Sequence, residues 1–206
     1  VQVESELEFI VEELNFVVRT PPIQGIIRSQ RNDGVDPLDG STTELWRARL
    51  EQIFTAMMVN QSYYSQLRYI GVANNGREIV RVDQSGSLRW SVDEADLQEK
   101  GGEPYMMDAI SLDPDEVRLG DISLNREHGE IDPRRIPTMR VMTPIFDQND
   151  QLFGVVVANV NIERLMAHTF NEARPGYPAV VISDNGEVFE YDPVRQQSRM
   201  YFTTDQ

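Results

Sequence analysis

A change of period near residue 60 constrains this chain more than any other feature. Upstream of it apolar residues recur every three or four positions, and downstream they alternate. Leu7, Ile10, Val11, Leu14, Val17 and Val18 set a helical stripe within residues 2–32, with glutamates filling the other positions. Pro21-Pro22 should kink or break that helix, and Ile23, Ile26 and Ile27 resume its apolar face. A loop rich in Asp, Gly and Pro covers 32–42. Thr42 or Thr43 then caps a helix that runs to about Asn60, with Trp46, Leu50, Phe54 and Met57 turned inward.

Beyond the switch, residues 66–73, 77–83 and 88–92 read as a meander of three short strands. Residues 93–135 are irregular and polar, with short helices expected near Ala95–Lys100 and Tyr105–Ile110. Strands return at Thr138–Phe146 and Leu152–Ile162, and a helix follows over 162–170. Pro175-Gly176 should break it. Residues 179–183 and 187–191, around Asp184-Asn185-Gly186, open a further strand pair, and the last fifteen residues are too few to complete another sheet. Helices followed by about five antiparallel strands define an α+β fold. The expected division is a helical stalk (1–60), a sheet domain (61–170) and a linker with an incomplete second domain (171–206).

Charge and composition remove several function classes. With 34 acidic and 19 basic residues the chain carries −15, which repels nucleic acid and anionic membrane surfaces as general partners. The absence of cysteine excludes disulfides, thiolate metal sites and a cysteine nucleophile. His128 and His168 lie in different elements without metal-ligand spacing, and Asp113 and Asp115 read as a solvated turn. There is no phosphate loop and no nucleophile elbow, so neither a cofactor nor catalysis is expected. No stretch approaches the ~18 apolar residues of a membrane span. The chain begins at Val1, so an excised extracytoplasmic fragment, with membrane segments outside it, is the expectation.

The stretch Ser65–Gly86 holds the candidate chemistry. If Asn75-Gly76 is a two-residue primed turn, Arg68 faces Asp83 and Ile70 faces Arg81. One sheet face then carries Arg68, Ile70, Val72, Ile79, Arg81 and Asp83. The other is nearly all apolar, with Glu78 near the turn, and should pack on the helices. Arg140, from a later strand, joins Arg68 and Arg81 under the irregular insertion. Guanidinium groups take carboxylates and phosphates through paired hydrogen bonds, so three of them favour a small anionic ligand. The competing reading is that they pair with Asp83, Glu127, Glu130 or Asp108 and tie the insertion to the sheet. Gln98, Lys100, Tyr105, Ser123, Asn125 and Glu127 supply further donors and acceptors near the pocket mouth. Tyr105 reads equally as a core aromatic, and Asn125 as a turn residue bonded to its own backbone.

Several stretches resemble one family in its order. They are TPPIQGIIRS (20–29), LRYIGVANNGREIVRVD (67–83), LQEKG (97–101), ISLNREHGEI (122–131), PTMRVMTPIFD (137–147) and GVVVANVNI (154–162). Together they are similar to the Cache-type, PAS-like extracytoplasmic sensor domains of bacterial histidine kinases, diguanylate cyclases and chemoreceptors. The resemblance covers roughly residues 15–191. It implies a long N-terminal helix leaving the membrane, a membrane-distal PAS-like domain and a smaller membrane-proximal one, with output domains beyond. It also implies a small-molecule ligand and a homodimeric receptor. The alternative is an interaction or dimerisation module that binds a periplasmic partner protein. Amino-acid-binding members resemble one another in an Arg-x-Trp-Tyr motif and an Asp on the last strand. Here the corresponding stretch is Gly102-Glu103-Pro104-Tyr105, and Asn161 stands where the acid would be. Only the tyrosine survives, which puts an amino-acid ligand in doubt.

Overall fold

The computed structural model describes residues 2–173, 178–182, 186, 188–192, 194–195 and 197–201. Helix α1 (Gln2–Val17) is followed by α2 (Pro21–Gln30). The proline pair starts a helix rather than bending one, because the first turn has no intrahelical use for the missing N–H groups. Helix α3 (Thr43–Asn60) opens at Thr42, whose hydroxyl accepts the Leu45 N–H at 3.2 Å. Gly25 lets α2 approach α3 closely. A Cβ there would lie 2.3 Å from the Trp46 ring, so Gly25→Ala would force these helices apart.

Next come β1 (Tyr64–Gly71), a turn α4 (Ala73–Gly76), β2 (Glu78–Ser85) and β3 (Leu88–Ser91). The insertion holds α5 (Pro104–Ile110) and four two-residue strands: β4 (Arg118–Leu119), β5 (Ser123–Leu124), β6 (Arg126–Glu127) and β7 (Glu130–Ile131). The long strands β8 (Pro137–Phe146) and β9 (Leu152–Asn161) lead into α6 (Ile162–Ala173). The antiparallel sheet has the order β3-β2-β1-β9-β8-β4, with β5 also on β8. A separate meander, β10 (Ala179–Ile182), β11 (Val188–Asp192) and β12 (Gln197–Tyr201), follows α6. The last fifteen residues thus supply a third strand to the second sheet. The expected break at Pro175-Gly176 and the turn at Asp184-Asn185 lie outside the described residues.

One face of the main sheet packs on the helices through Leu67, Tyr69, Val80, Val82, Val156 and Ala158, against Leu14, Ile23, Leu50 and Phe54. Each such fully buried aliphatic contributes roughly 1.5–3 kcal/mol. The opposite face has a smaller apolar cluster, where α5 lays Tyr105, Met106 and Ala109 over Ile70, Met142, Val155 and Val157. The rest of that face is polar and forms the candidate site. Among the described residues no helix is long and apolar enough to cross a membrane.

Two local departures from the sequence reading shape that site. The β1–β2 turn is not a two-residue primed turn: Asn74, Asn75 and Gly76 all have positive φ, at 51°, 56° and 70°. Asparagine and glycine tolerate this backbone, and a Cβ on Gly76 would lie 2.4 Å from the Gly101 nitrogen. The expected helix near Ala95–Lys100 is reduced to one 3-10 turn, Glu94–Asp96. The segment after it runs extended against the turn instead. Glu78 N–H donates to the Gln98 carbonyl (2.9 Å), Lys100 N–H to Gly76 (2.8 Å) and Gly101 N–H to Asn75 (2.9 Å). Tertiary pairing of these backbone groups outweighs the weak local helix preference of Gln98-Glu99-Lys100.

Candidate functional site

The site is a lattice set by register. In one row Asp83, Gln66, Asn159 and Arg140 are successive neighbours across β2, β1, β9 and β8. In the next row Arg81, Arg68, Val157 and Met142 stand in line. Arg68 therefore opposes Arg81 directly, two residues away from the expected Asp83, because the longer turn shifts the register. The parity is kept, and both arginines share one face. Like charges directly opposed destabilise a sheet unless something neutralises them.

Glu78 does part of that. A bulge between Tyr69 and Ile70 pairs Ile70 with Glu78 and brings the Glu78 carboxylate 3.7 Å from Arg68 Nη1 and 3.8 Å from Arg81 Nη1. Glu78 was expected on the helix face, and Ile79 on this one. The bulge reverses both: Ile79 belongs to the helix-side cluster.

Arg81 is fully matched. Its Nε and Nη2 each donate to one Asp83 oxygen at 2.7 Å, and Nη2 also reaches Glu127 at 3.2 Å. Burial alone would lower its pKa, but Asp83, Glu127 and Glu78 hold it above the ordinary arginine value. Glu127 is the acceptor hub of the insertion. It takes hydrogen bonds from Gln66 (2.7 Å), Gln98 (2.8 Å) and Asn125 (3.0 Å). Burial opposes its charge, yet Arg81 and these amides bring the pKa down to about 2.

Arg68 and Arg140 are matched differently. Arg68, 2% exposed, donates to the Tyr105 hydroxyl (3.0 Å) and to Asn159 Oδ1 (2.6 Å). Arg140, 6% exposed, donates to Ser123 Oγ at 2.7 Å and forms no ion pair with a described residue. Their guanidinium carbons lie 5.3 and 5.1 Å from the Tyr105 ring centroid. The Nε of each is buried without a hydrogen-bond acceptor. Burial, and then the charge of Arg68, lower the Arg140 pKa to about 10.

Lys100, the one lysine of the chain, is 3% exposed. Its Nζ donates to Gln98 Oε1 at 2.8 Å and to the Arg126 carbonyl at 3.5 Å, and burial followed by Arg68 lowers its pKa. Burial raises that of Tyr105.

The nine sequence-derived candidates thus lie on or over one sheet face. Ser123 is the acceptor of Arg140, and the other eight fall into two groups that touch where Lys100 Nζ donates to Gln98. Arg81, Glu127, Gln98 and Asn125 form a closed polar network. Arg68, Arg140, Lys100 and Tyr105 form a cluster with surplus positive charge. Among the described residues, the carboxylates within ion-pair distance of Arg68, Arg81, Lys100 or Arg140 are those of Glu78, Asp83 and Glu127. Sequence reasoning missed Gln66 and Asn159, which strand parity with Arg68 and Asn161 would have revealed. It missed Glu78 because no local signal marks the bulge.

Beside the network opens a cleft of about 200 Å³, lined among others by Gln66, Asn125, Thr138, Asn161 and Arg164. Asn161 caps α6 there, accepting the Arg164 N–H at 3.1 Å.

Known proteins share this architecture. The chain is similar to a domain of a sensory box/GGDEF family protein from Vibrio parahaemolyticus, with a TM-score of 0.65 and 21% identity over 88% of this chain and 70% of that one. It is similar to the extracellular domain of vpHK1S-Z8, a designated histidine kinase, with a TM-score of 0.61 and 17% identity over 93% and 86% of the two chains. The extracellular domain of soHK1S-Z6, designated likewise, aligns with a TM-score of 0.52 and 16% identity over 90% and 71%. At these identities the likeness is one of fold. No curated protein sequence matches the chain. The family model for the bacterial histidine kinase sensor domain matches residues 40–197, which include every site residue above. The chain belongs to the bacterial histidine kinase sensor domain family, and it is a sensing module rather than a catalytic one.

Proposed function

We propose that this domain senses a small organic anion on the extracytoplasmic side of a membrane receptor, and that Arg68 and Arg140, flanking Tyr105, are its principal donors. One observation carries the reading: two buried guanidinium groups keep Nε–H donors without acceptors, in a cluster whose cations outnumber its carboxylates. A carboxylate supplies both the missing acceptors and the missing charge. Lys100 adds a third cation, and Gln98 and Asn125 hold the roof. Arg81 and Glu127 tie the insertion to the sheet. Of the carboxylates here, Asp83 and Glu127 are taken by Arg81 and the amides, and Glu78 stands between Arg68 and Arg81. Together with the absent Arg-x-Trp and Asp signals this favours a simple carboxylate over an amino acid.

Arg68 and Arg140 lie under α5, so entry requires the roof to move. That requirement couples binding to shape: a ligand that binds better when α5 is displaced shifts the population toward that state. In this reading residues 1–60 form the stalk, 61–170 the sensing domain and 171–206 the start of a second domain. Phe9 and Phe16, seven residues apart on α1, are 41% and 68% exposed. They favour a helix-to-helix contact with a second copy.

A thermal-shift screen over mono- and dicarboxylates, organic phosphates, amino acids and amines tests the ligand class. A specific ligand at a hundredfold its Kd stabilises by about 2.7 kcal/mol, a clear rise in Tm. The expected result is a rise with a carboxylate and none with amines, lost in Arg140→Met. No anion raising the Tm, or a rise that persists in Arg140→Met, would end the proposal.

A further inference from the structure

A cleft of about 400 Å³ lies away from the arginine–tyrosine cluster, between the C-terminal end of α2, α3 and the β1–β2 turn. Arg68, Lys100, Tyr105 and Arg140 take no part in its lining. Its floor is apolar, built chiefly from Ile79, Leu97, Leu152 and Phe153, and its rim carries Arg31, Arg47 and Arg77. Glu94 and Glu78 also line it, the Glu78 carboxylate being engaged by Arg68 and Arg81. Ile79 packs with the helix-side core, and Phe153 lies against it, so the floor belongs to the opposite face of the sheet from the cluster.

The three rim arginines are unequally satisfied. Arg31 pairs with Asp147 and sits 5.9 Å from the Phe153 ring centroid. Arg47 contacts Glu94 at 2.9 Å, but the Glu94 side chain is 76% exposed, so that pair is weak and screened by salt. Arg77 donates only to the Glu94 carbonyl, at 3.0 Å, and has no carboxylate within ion-pair distance among the described residues. The volume falls in the range of small-molecule sites, roughly 300–1,000 Å³. A guanidinium rim over an aliphatic and aromatic floor selects a ligand with one anionic head and an apolar body.

We infer that this cleft is a second ligand site, specific for an amphipathic anion such as a carboxylate or sulfonate on an aromatic or short aliphatic body, with Arg47 and Arg77 holding the head. An occupant reaches past the rim to the β1–β2 turn. Val72, Ala73 and Asn74 line the cleft, and the same turn holds Lys100 and Gly101 through the carbonyls of Gly76 and Asn75. Filling the cleft therefore braces the strap that carries Gln98 and Lys100 to the other face.

The test uses anilinonaphthalene sulfonate, an aromatic monoanion whose fluorescence rises in an apolar site. The expected result is saturable binding near one equivalent, at least tenfold weaker in the R47Q/R77Q double variant and within twofold of normal in Arg140→Met. Hydrogen exchange should slow at the amides of Glu78, Lys100 and Gly101 when the dye is bound. Undiminished affinity in R47Q/R77Q, loss of affinity in Arg140→Met, or protection confined to α5 would each overturn the assignment. Should the double variant lose its near-ultraviolet circular dichroism, Leu152→Trp carries the test instead. It fills the cleft without changing charge and should abolish binding, and retained affinity there overturns the assignment equally. The Arg140 control keeps this outcome separate from that of the carboxylate site on the other face.

Discussion

Two buried charge clusters lie on opposite sides of the same sheet, and they are built to different rules. On the helix side Arg28 donates to both oxygens of Asp36, at 2.9 and 2.7 Å. Trp46 Nε1–H and Leu38 N–H fill the remaining acceptor positions of that carboxylate, each at 3.0 Å. Asp36 is fully buried. The Arg28 hydrogen bonds, against the opposing effect of desolvation, hold its pKa at about 2. No buried side-chain polar atom of Arg28, Asp36 or Trp46 lacks a partner, and the cluster does one thing: it fixes the 32–42 loop to α2 and α3. On the other side Arg68 and Arg140 share a tyrosine ring, Arg68 donates to its hydroxyl and to an amide and Arg140 to a serine, and both keep donors to spare. Matched buried charge serves the fold. The unmatched cluster is where the proposed ligand would supply the missing partner.

The contrast breaks first at Asp36. Asp36→Ala leaves Arg28 and the Trp46 indole N–H buried without acceptors, which should cost about 3–5 kcal/mol. Urea unfolding followed by circular dichroism would measure it, and a loss below about 1 kcal/mol would mean the matched cluster is not what anchors the loop.

Glu127 comes next, because it closes the half of the site that is satisfied. Glu127→Gln keeps the shape but removes the charge facing Arg81, and the expected loss is about 2 kcal/mol after allowing for partial exposure. The pH dependence has a definite sign. The folded-state pKa values of Glu127 and Asp36 are depressed to about 2 from ordinary values of 4.5 and 3.8. Their stabilisation is complete above the ordinary values and is lost as pH falls from there through about 2. Stability against pH should therefore fall steeply below about pH 4.5 in the native chain and less steeply in Glu127→Gln.

Much of this contrast was legible in the sequence, and the part that was not has physical causes. The period switch located α1, α3 and strands β1, β2, β3, β8 and β9, and alternation about the assumed turn placed Arg68 and Arg81 on one face. What local pattern cannot carry is pairing at a distance. Gln98-Glu99-Lys100 reads as helix in isolation, yet its backbone groups are claimed by the carbonyls and amides of the 75–78 turn. Glu78 reads as a helix-face residue until a single bulge turns it toward two arginines. Likewise, sequence offers both partners for the arginines, an internal carboxylate or a ligand, and cannot say which arginine takes which. Packing divides them: Arg81 is closed by Asp83 and Glu127, while Arg140 is left with a serine.

Tyr105→Phe probes the shared element of the unmatched cluster. It removes the hydroxyl that accepts from Arg68 but keeps the ring between the two guanidinium groups. The cost should be about 1 kcal/mol, the net worth of one buried hydrogen bond. A loss of 3 kcal/mol or more by urea unfolding would show that the tyrosine hydroxyl alone satisfies Arg68, and the cluster would then count as matched.

The smallest expected effect is the most decisive. In a matched cluster, removing a buried arginine strands a carboxylate and destabilises strongly. Arg140 has no carboxylate to strand, and burial together with the charge of Arg68 already disfavours its cationic form. Arg140→Met keeps the long apolar stem against Met142 and Tyr105 while deleting the charge. Two gains then oppose two losses. Repulsion with Arg68 is relieved and a desolvation penalty disappears, while the Ser123 hydrogen bond and the Tyr105 cation–π contact are lost. The sum should fall within about 1 kcal/mol of zero, or slightly in favour of the variant. Unfolding without ligand should show this near-neutrality, whereas the Tm rise with a carboxylate should vanish in the same protein. A destabilisation of 3 kcal/mol or more would instead place Arg140 with Arg28 and Arg81, among the arginines the fold itself requires.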